Sequence, residues 1–597
     1  MGEVKKLKTR EEISSECKWD IEKVYATNEA WEKDFEILKK KAEKIKDFSG
    51  KLSQPTVLLD YFKVKEDISR LADKLFIFAH LKSDEDRANS TYQSLKDKID
   101  TYLAELRSLG AFFVPEILSL PEDYIEKSIA EVKDLEMYKF LLEDILKMKP
   151  HVLSKELEEL VASVSDCLEA PGNIFSMLTN ADMTFPIIKD ESGNDIELTE
   201  GNYSGFVRSK DRSVREAAFK ALFSAYDKFK NTIATSLTSS IKNNVFIAKT
   251  RKYSSALESS LKPNNIPLEV YDNAINTINS NIESLHRYVR IKKKLLGLEE
   301  IHMYDLYVPV IDIEKENIEF KKGVEIVKEG LHPLGKEYLS IFDEGIKEGW
   351  IDVYENKGKR GGAYSWGCYD TMPYVLLNYN NDLNDVSTLA HEMGHSIHSY
   401  YSRKTQPYIY ADYELFCAEV ASTTNEALLI HYLINRETQK SKKLYLINQE
   451  LEQIRTTVFR QLMFAEFEKI THESIEKGNP LTAKDLCSIW HELNVKYFGP
   501  DMIVDEEIDM EWARIPHFYS DFYVYQYATG YAAASAFAKS ILEQGNEAVN
   551  KYIGFLKSGG SDYPINILKK AGVDMTTPAP LEATLQRFNE LLDMLEQ

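Results

Sequence analysis

Asp385-Val386-Ser387-Thr388-Leu389-Ala390-His391-Glu392-Met393-Gly394-His395-Ser396-Ile397-His398-Ser399-Tyr400 is the stretch on which the reading of this chain turns. Val386, Leu389, Met393, Ile397 and Tyr400 recur at spacings of three and four, which predicts a helix with one apolar face. His391 and His395 fall on the opposite face, about 40° apart around the axis. Asn384 or Asp385 is the expected N-cap, and Pro407 lies beyond the expected end. Two imidazoles at this spacing can grip one metal ion. Glu392 stands to the side, where it can hold a water on that metal as a general base. The plainer reading is an amphipathic helix with two histidines on its polar face, and the helical context weighs against it.

The other histidines match less well. His491-Glu492 is followed by Val495 at the second ligand position, and His472-Glu473 by Glu476, so both read as solvated helix positions. His398 lies two turns from His391, too far along the helix to share an ion with it. The longer metzincin pattern requires Gly at 398 and His at 401, where this chain has His398 and Tyr401.

A catalytic zinc site takes three protein ligands and keeps one position open. The next helical pattern, from Asp412 to about Ile434, places Glu419 and Glu426 seven apart on one face, with Ser422 and Thr423 between them. We assign Glu419 as the third ligand and Glu426 as hydrogen-bond acceptor for a ligand imidazole. A solvated polar stripe fits the same spacing equally well. Cys417 points to the opposite side.

With these residues in view, the chain resembles oligoendopeptidase F of the thimet oligopeptidase-like family of zinc metallopeptidases. The resemblance spans nearly the whole sequence. It includes Trp19-Asp20 with Tyr25 and Trp31, the run Phe78-Ala79-His80-Leu81-Lys82-Ser83-Asp84, Gly361-Gly362-Ala363-Tyr364, the Glu419 block and the aromatic run from His517. It implies that His391, His395 and Glu419 bind one Zn²⁺ and that Glu392 is the general base. It further implies a mainly α, multi-helical zincin-type fold with a deep substrate channel between an N-terminal helical region and a catalytic helical domain, and cleavage of short peptides.

From His517 the chain carries Tyr519, Tyr523, Tyr525, Tyr527 and Tyr531; four of them, Tyr519, Tyr523, Tyr527 and Tyr531, recur at every fourth residue, a spacing that lines one helical face. They read either as a packed aromatic stripe or as O–H donors along a cleft. Relatives use a His and Tyr residues downstream of the metal to stabilise the oxyanion. His517 carries over. The tyrosine register does not, which leaves Tyr523, Tyr527 and Tyr531 as candidates. Tyr374-Val375-Leu376-Leu377-Asn378-Tyr379 is expected to form a short edge strand beside the metal helix, either purely structural or open to the substrate backbone.

The 597 residues exceed a single core, and most segments read as helices. Asn28 is the expected cap of the helix carrying Trp31, Phe35 and Leu38, and a break is expected at Pro115. A hairpin is expected within 183–199, turning at Ser192-Gly193-Asn194-Asp195, with Asp211 capping the next helix. The coarse division is residues 1–200, an N-terminal helical region, and 201–597, the catalytic domain.

The formal charge of −22 argues against nucleic acid or an anionic membrane as main partner and favours cationic peptides. The start of the chain, Met1 to Lys8, is polar and reads as no leader. Five scattered cysteines read as reduced thiols, hence a cytoplasmic protein. Beside the zinc endopeptidase stand a dipeptidyl carboxypeptidase and a silent peptide-binding protein on the same scaffold.

Overall fold

The computed structural model describes residues 6–311, 313 and 316–597. The first five residues of the polar start therefore lie outside the described residues. The chain is mainly α-helical, with three small sheets among the described residues. It forms two compact units, one of Met1–Lys149, Lys315–Tyr432 and Phe537–Gly572, the other of Pro150–Glu314, Leu433–Ala536 and Val573–Gln597. The units interleave along the sequence, so neither coincides with a division at residue 200.

In the first unit the opening helix, Asn28–Ala42, is capped by Thr27 rather than Asn28. The Thr27 hydroxyl accepts from Ala30 N at 3.2 Å, and Asn28 is already helical. Trp31, Phe35 and Leu38 face the core, and the Trp31 indole donates to Leu75 O at 2.9 Å. The break expected at Pro115 falls earlier, after the helix Ser90–Leu109. Pro115 lies in the first turn of Phe113–Ser119, where a missing N–H costs no helical bond.

A three-stranded sheet supports the metal-motif helix. Its central strand is Tyr374–Leu376, parallel to Ile351–Asp352 and antiparallel to Tyr364–Trp366. This corrects the expected edge strand: Tyr374, Val375 and Leu376 are fully buried, and both their hydrogen-bonding sides are taken. The strand on the motif-helix side is Tyr364–Trp366. Its Ser365 hydroxyl lies 2.8 Å from that of Ser396, and Tyr364 donates to Asp84 at 2.9 Å.

In the second unit Ile187–Lys189 pairs with Asp195–Glu197 as the expected hairpin. Asp190 accepts from Ser192 N at 2.9 Å and Asn194 N at 2.8 Å, and Gly193 takes φ +80°. Asp211 caps the helix Arg212–Asp227 as expected, accepting from Ser213 N at 2.9 Å.

Candidate metal centre

The motif helix runs Leu383–Thr405. Its cap is Asp382, not Asn384 or Asp385: the Asp382 side chain accepts from Asp385 N, and the Asp385 side chain accepts in return from Asp382 N. Val386, Leu389, Met393 and Ile397 are fully buried, whereas His391 and His395 are half-buried on the other side.

The second helix, Leu415–Arg436, packs directly on the first. Two features set their separation. A Cβ on Gly394 would stand 2.6 Å from Ser422 Cα and 2.9 Å from Ala421 O, so only glycine permits this approach. Asn425 donates to Ala390 O at 2.9 Å and is itself held by Tyr338 OH at 2.8 Å. Sequence reasoning passed over both residues. Glycine in the motif's variable position and a buried Asn between the two glutamates were the available signals.

This packing brings Glu419 to the paired histidines. Its Oε2 lies 3.4 Å from His391 Nε2 and 3.5 Å from His395 Nε2, and the two Nε2 atoms are 3.2 Å apart. Ser422 donates to Glu419 Oε2 at 3.2 Å. Behind the triangle, Glu426 Oε2 lies 3.3 Å from His391 Nδ1, and Ser387 donates to its Oε1 at 3.4 Å.

A tetrahedral ion with bonds of about 2.0–2.1 Å has ligand–ligand edges of about 3.3–3.4 Å. The triangle has these dimensions, and its donors are two imidazoles and a carboxylate. Among the described residues it is the one group of three or more His, Cys, Asp and Glu side chains placed so that it could hold a metal ion.

Electrostatics follow from the crowding. Burial pulls the His391 imidazole down, but the Glu419 and Glu426 carboxylates outweigh it and raise it to about 10. Burial pushes Glu419 up, and the two histidines more than reverse this, so that it falls well below the usual carboxylate range. Glu392 is buried beside the triangle, and burial lifts its carboxyl above its ordinary value against the pull of the histidines. A raised carboxylate is a better proton acceptor near neutrality.

His398 is outside this group. Its ring is buried, stacks on Tyr413 at 3.7 Å and is held neutral by burial, at about 3. Cys417 is buried, its thiol pushed well up.

The aromatic run belongs to the second unit, and its expected single helical face is corrected. Pro516–Tyr519 is a 3₁₀ turn and the helix Tyr525–Gln544 starts afresh after a break. Phe522 in the break takes φ +53°, held by Glu468, whose Oε1 accepts from Phe522 N at 3.1 Å. Tyr519 stacks on Phe175 at 4.6 Å as a packing residue. His517, Tyr523 and Tyr527 do come together. The ring centroids are 6.1 Å apart for His517–Tyr523 and 5.4 Å for Tyr523–Tyr527, and Tyr527 OH lies 3.4 Å from His517 Nε2. Tyr531, one turn further, is buried. Burial and then the charge of Arg460 lower His517 and favour its neutral form. His472, expected to be solvated, is buried: its Nδ1 contacts Glu468 O at 2.8 Å and its Nε2 lies 3.3 Å from Asn244.

A helix offering two imidazoles and a flanking glutamate, with a carboxylate delivered by the helix packed on it, is the arrangement of a metallopeptidase. The comparisons agree. Peptidase family M3 matches residues 206–587, and the N-terminal module described as oligopeptidase F matches 116–185. Oligopeptidase PepF of Bacillus subtilis is 47% identical, covering 100% of this chain and 90% of the relative. Group B oligopeptidase PepB of Streptococcus agalactiae is 40% identical over 98% of each. The crystal structure of oligoendopeptidase-F from Enterococcus faecium superposes with a TM-score of 0.73 at 38% identity, covering 95% of this chain and 98% of that one. The chain belongs to peptidase family M3 and is a metallo-endopeptidase of the oligoendopeptidase F kind.

Proposed function

We propose that the chain is a zinc-dependent endopeptidase that cuts internal bonds of short peptides, with one Zn²⁺ held by His391, His395 and Glu419 and Glu392 as general base. The observation that carries this reading is the triangle with edges of 3.2, 3.4 and 3.5 Å, matched to tetrahedral zinc. When bound, zinc supplies a Lewis acid for the scissile carbonyl and lowers the pKa of its water to about 7. Glu426, 3.3 Å from His391 Nδ1, would hold the proton on that nitrogen and leave Nε2 as the ligating atom. Glu392 accepts a proton from the attacking water and hands it to the leaving amine.

His517, Tyr523 and Tyr527 form a donor cluster suited to hold the carbonyl oxygen as charge builds on it. Tyr531 is the weaker candidate, since it is buried. Because Tyr374–Leu376 is central, pairing with a substrate backbone falls to the edge strand Tyr364–Trp366.

Five free cysteines fit a reducing cytoplasm. Among the described residues no helix is long and apolar enough to cross a membrane.

The test is a mass-spectrometric digest of a mixture of short and long peptides, with chelator and with Zn²⁺ restored. Internal cuts in the short peptides, lost with chelator and regained with zinc, are expected. Cleavage confined to C-terminal dipeptides, or none despite stoichiometric zinc, would overturn it.

A further inference from the structure

A cavity of about 170 Å³ in the second unit is lined by four arginines, Arg208, Arg455, Arg460 and Arg514, with Tyr203 and Tyr307 and a single carboxylate, Glu511. That is unexpected in a chain of formal charge −22. The space is ample for a compact group such as a carboxylate, with apolar side chains such as Phe219, Phe223 and Phe498 on the remaining wall.

A π-turn builds the site. Arg455–Phe459 is π-helical, and Arg460 N donates to Arg455 O. In an α-helix, residues five apart diverge by about 140° around the axis. The i→i+5 turn admits an extra residue and narrows that divergence, and both Arg455 and Arg460 line the cavity. Single π-turns of this kind concentrate at functional sites.

The arginines are partly spoken for. Arg455 donates to Glu452 Oε2 at 2.7 Å and lies over the Tyr307 ring at 4.8 Å. Arg460 donates to Glu511 at 2.5 Å, and Arg514 pairs with Glu200. Lys292 shares Glu452 at 3.3 Å. Even so, these five cations, counting Arg208, face only three carboxylates. Arg208 is exposed and unpaired among the described residues. Arg455 is 1% exposed, and its buried Nη1 has no hydrogen-bond partner. A buried guanidinium nitrogen left this way is costly unless an acceptor joins it.

We propose that this cavity binds a carboxylate of the peptide substrate, either its C-terminus or an acidic side chain, and thereby anchors the peptide. The inference rests on the peptidase reading above. The cavity shares its chain segment and its charge with the donor cluster of the same unit: Arg514, on its wall, precedes His517 by three residues, and the charge of Arg460, also on its wall, lowers His517. Arginine forks match carboxylates in geometry as well as charge.

The experiment uses the full chain carrying Glu392→Gln, zinc-loaded, and a short peptide made in four forms: free or amidated C-terminus, each with one Glu or with Gln in its place. Calorimetry measures binding to this protein and to the same protein with Arg208→Gln or Arg460→Gln; Arg208→Lys serves as conservative rescue. Loss of the responsible carboxylate is expected to weaken binding about tenfold, and the arginine variants are expected to remove that difference, with Arg208→Lys restoring most of it. Which of the four forms binds tightly identifies the source of the carboxylate.

In the active enzyme Arg208→Gln raises KM for the tight form with kcat unchanged and Arg208→Lys restores it; Arg460→Gln is read by binding alone, because its charge acts on His517. Four forms that bind alike, or variants that weaken all four equally, would overturn the proposal, as would arginine-dependent binding of inorganic phosphate alone. Arginine-dependent binding of a peptide that the active chain never cleaves would uphold it while removing the hydrolytic reading.

Discussion

Glu426 Oε2 lies 3.3 Å from His391 Nδ1, on the side of the imidazole turned away from Glu419. One helix thus supplies both the third corner of the triangle and the carboxylate that faces the other nitrogen of the first imidazole. Replacing Glu426 with Gln keeps the shape and removes the charge that, in the proposed zinc site, strengthens His391 as a ligand. Zinc affinity is expected to fall about 10- to 100-fold, read by competition with a chromogenic chelator. Unchanged affinity would reduce Glu426 to a packing residue.

Glu392 is buried and stands beside the triangle rather than in it. Glu392→Gln is therefore expected to keep zinc at one equivalent, by metal analysis after dialysis, while peptide turnover falls by at least about 10²–10⁴. Loss of zinc together with activity would make Glu392 a structural support for the site instead of its base.

Much of this centre was legible because helical periodicity is local. The apolar spacing of Val386 to Ile397 placed the histidines, and seven residues placed Glu419 over Glu426. What escaped depends on partners distant in sequence or on backbone that no residue type announces. Tyr374–Leu376 looked like an edge strand because its partners are a two-residue strand at Ile351 and a three-residue strand at Tyr364, too short to show alternation. The tyrosine spacing promised one helical face until Phe522, a bulky residue in left-handed backbone, broke it. His472 looked solvated because its neighbours in sequence are charged; Phe522 and Asn244, far along the chain, bury it.

That burial gives a pH dependence of stability. His472 is held neutral by burial at about 4, against 6.5 for the free side chain. The unfolded chain takes up this proton first as pH falls, so the contribution is complete above pH 6.5 and is lost as pH drops towards 4. The loss amounts to about 3 kcal/mol across that window. Glu468, whose carboxyl burial raises well above its ordinary value, works the other way: its contribution is complete below pH 4.5 and declines as pH rises. The difference between wild type and His472→Gln isolates the histidine. Urea unfolding at pH 7 and pH 5 is expected to show wild type losing about 2 kcal/mol more than the variant. Equal losses would mean that His472 titrates alike in both states.

Gly394 tests whether the approach of the two helices, and not merely the identity of the ligands, makes the centre. Gly→Ala within a helix ordinarily stabilises by about 1 kcal/mol, and that is the expectation for Gly554→Ala, where an added Cβ meets nothing within 4 Å. At Gly394 the added Cβ would instead meet Ser422 Cα at 2.6 Å and Ser422 N at 2.9 Å, which are backbone atoms that cannot rotate aside. The Glu419 helix must shift, and Asn425, bonded to Ala390 O at 2.9 Å, resists the shift from one turn away. Gly394→Ala should therefore cost about 1–3 kcal/mol of stability by overpacking. It should also weaken zinc binding by at least about tenfold, because a displaced Glu419 opens the 3.4 and 3.5 Å edges of the triangle. Thermal unfolding of the metal-free proteins separates the first effect from chelator competition, which reads the second. Normal zinc affinity in a destabilised Gly394→Ala protein would show that Glu419 reaches the histidines by side-chain adjustment and that the helix separation leaves the site unaffected.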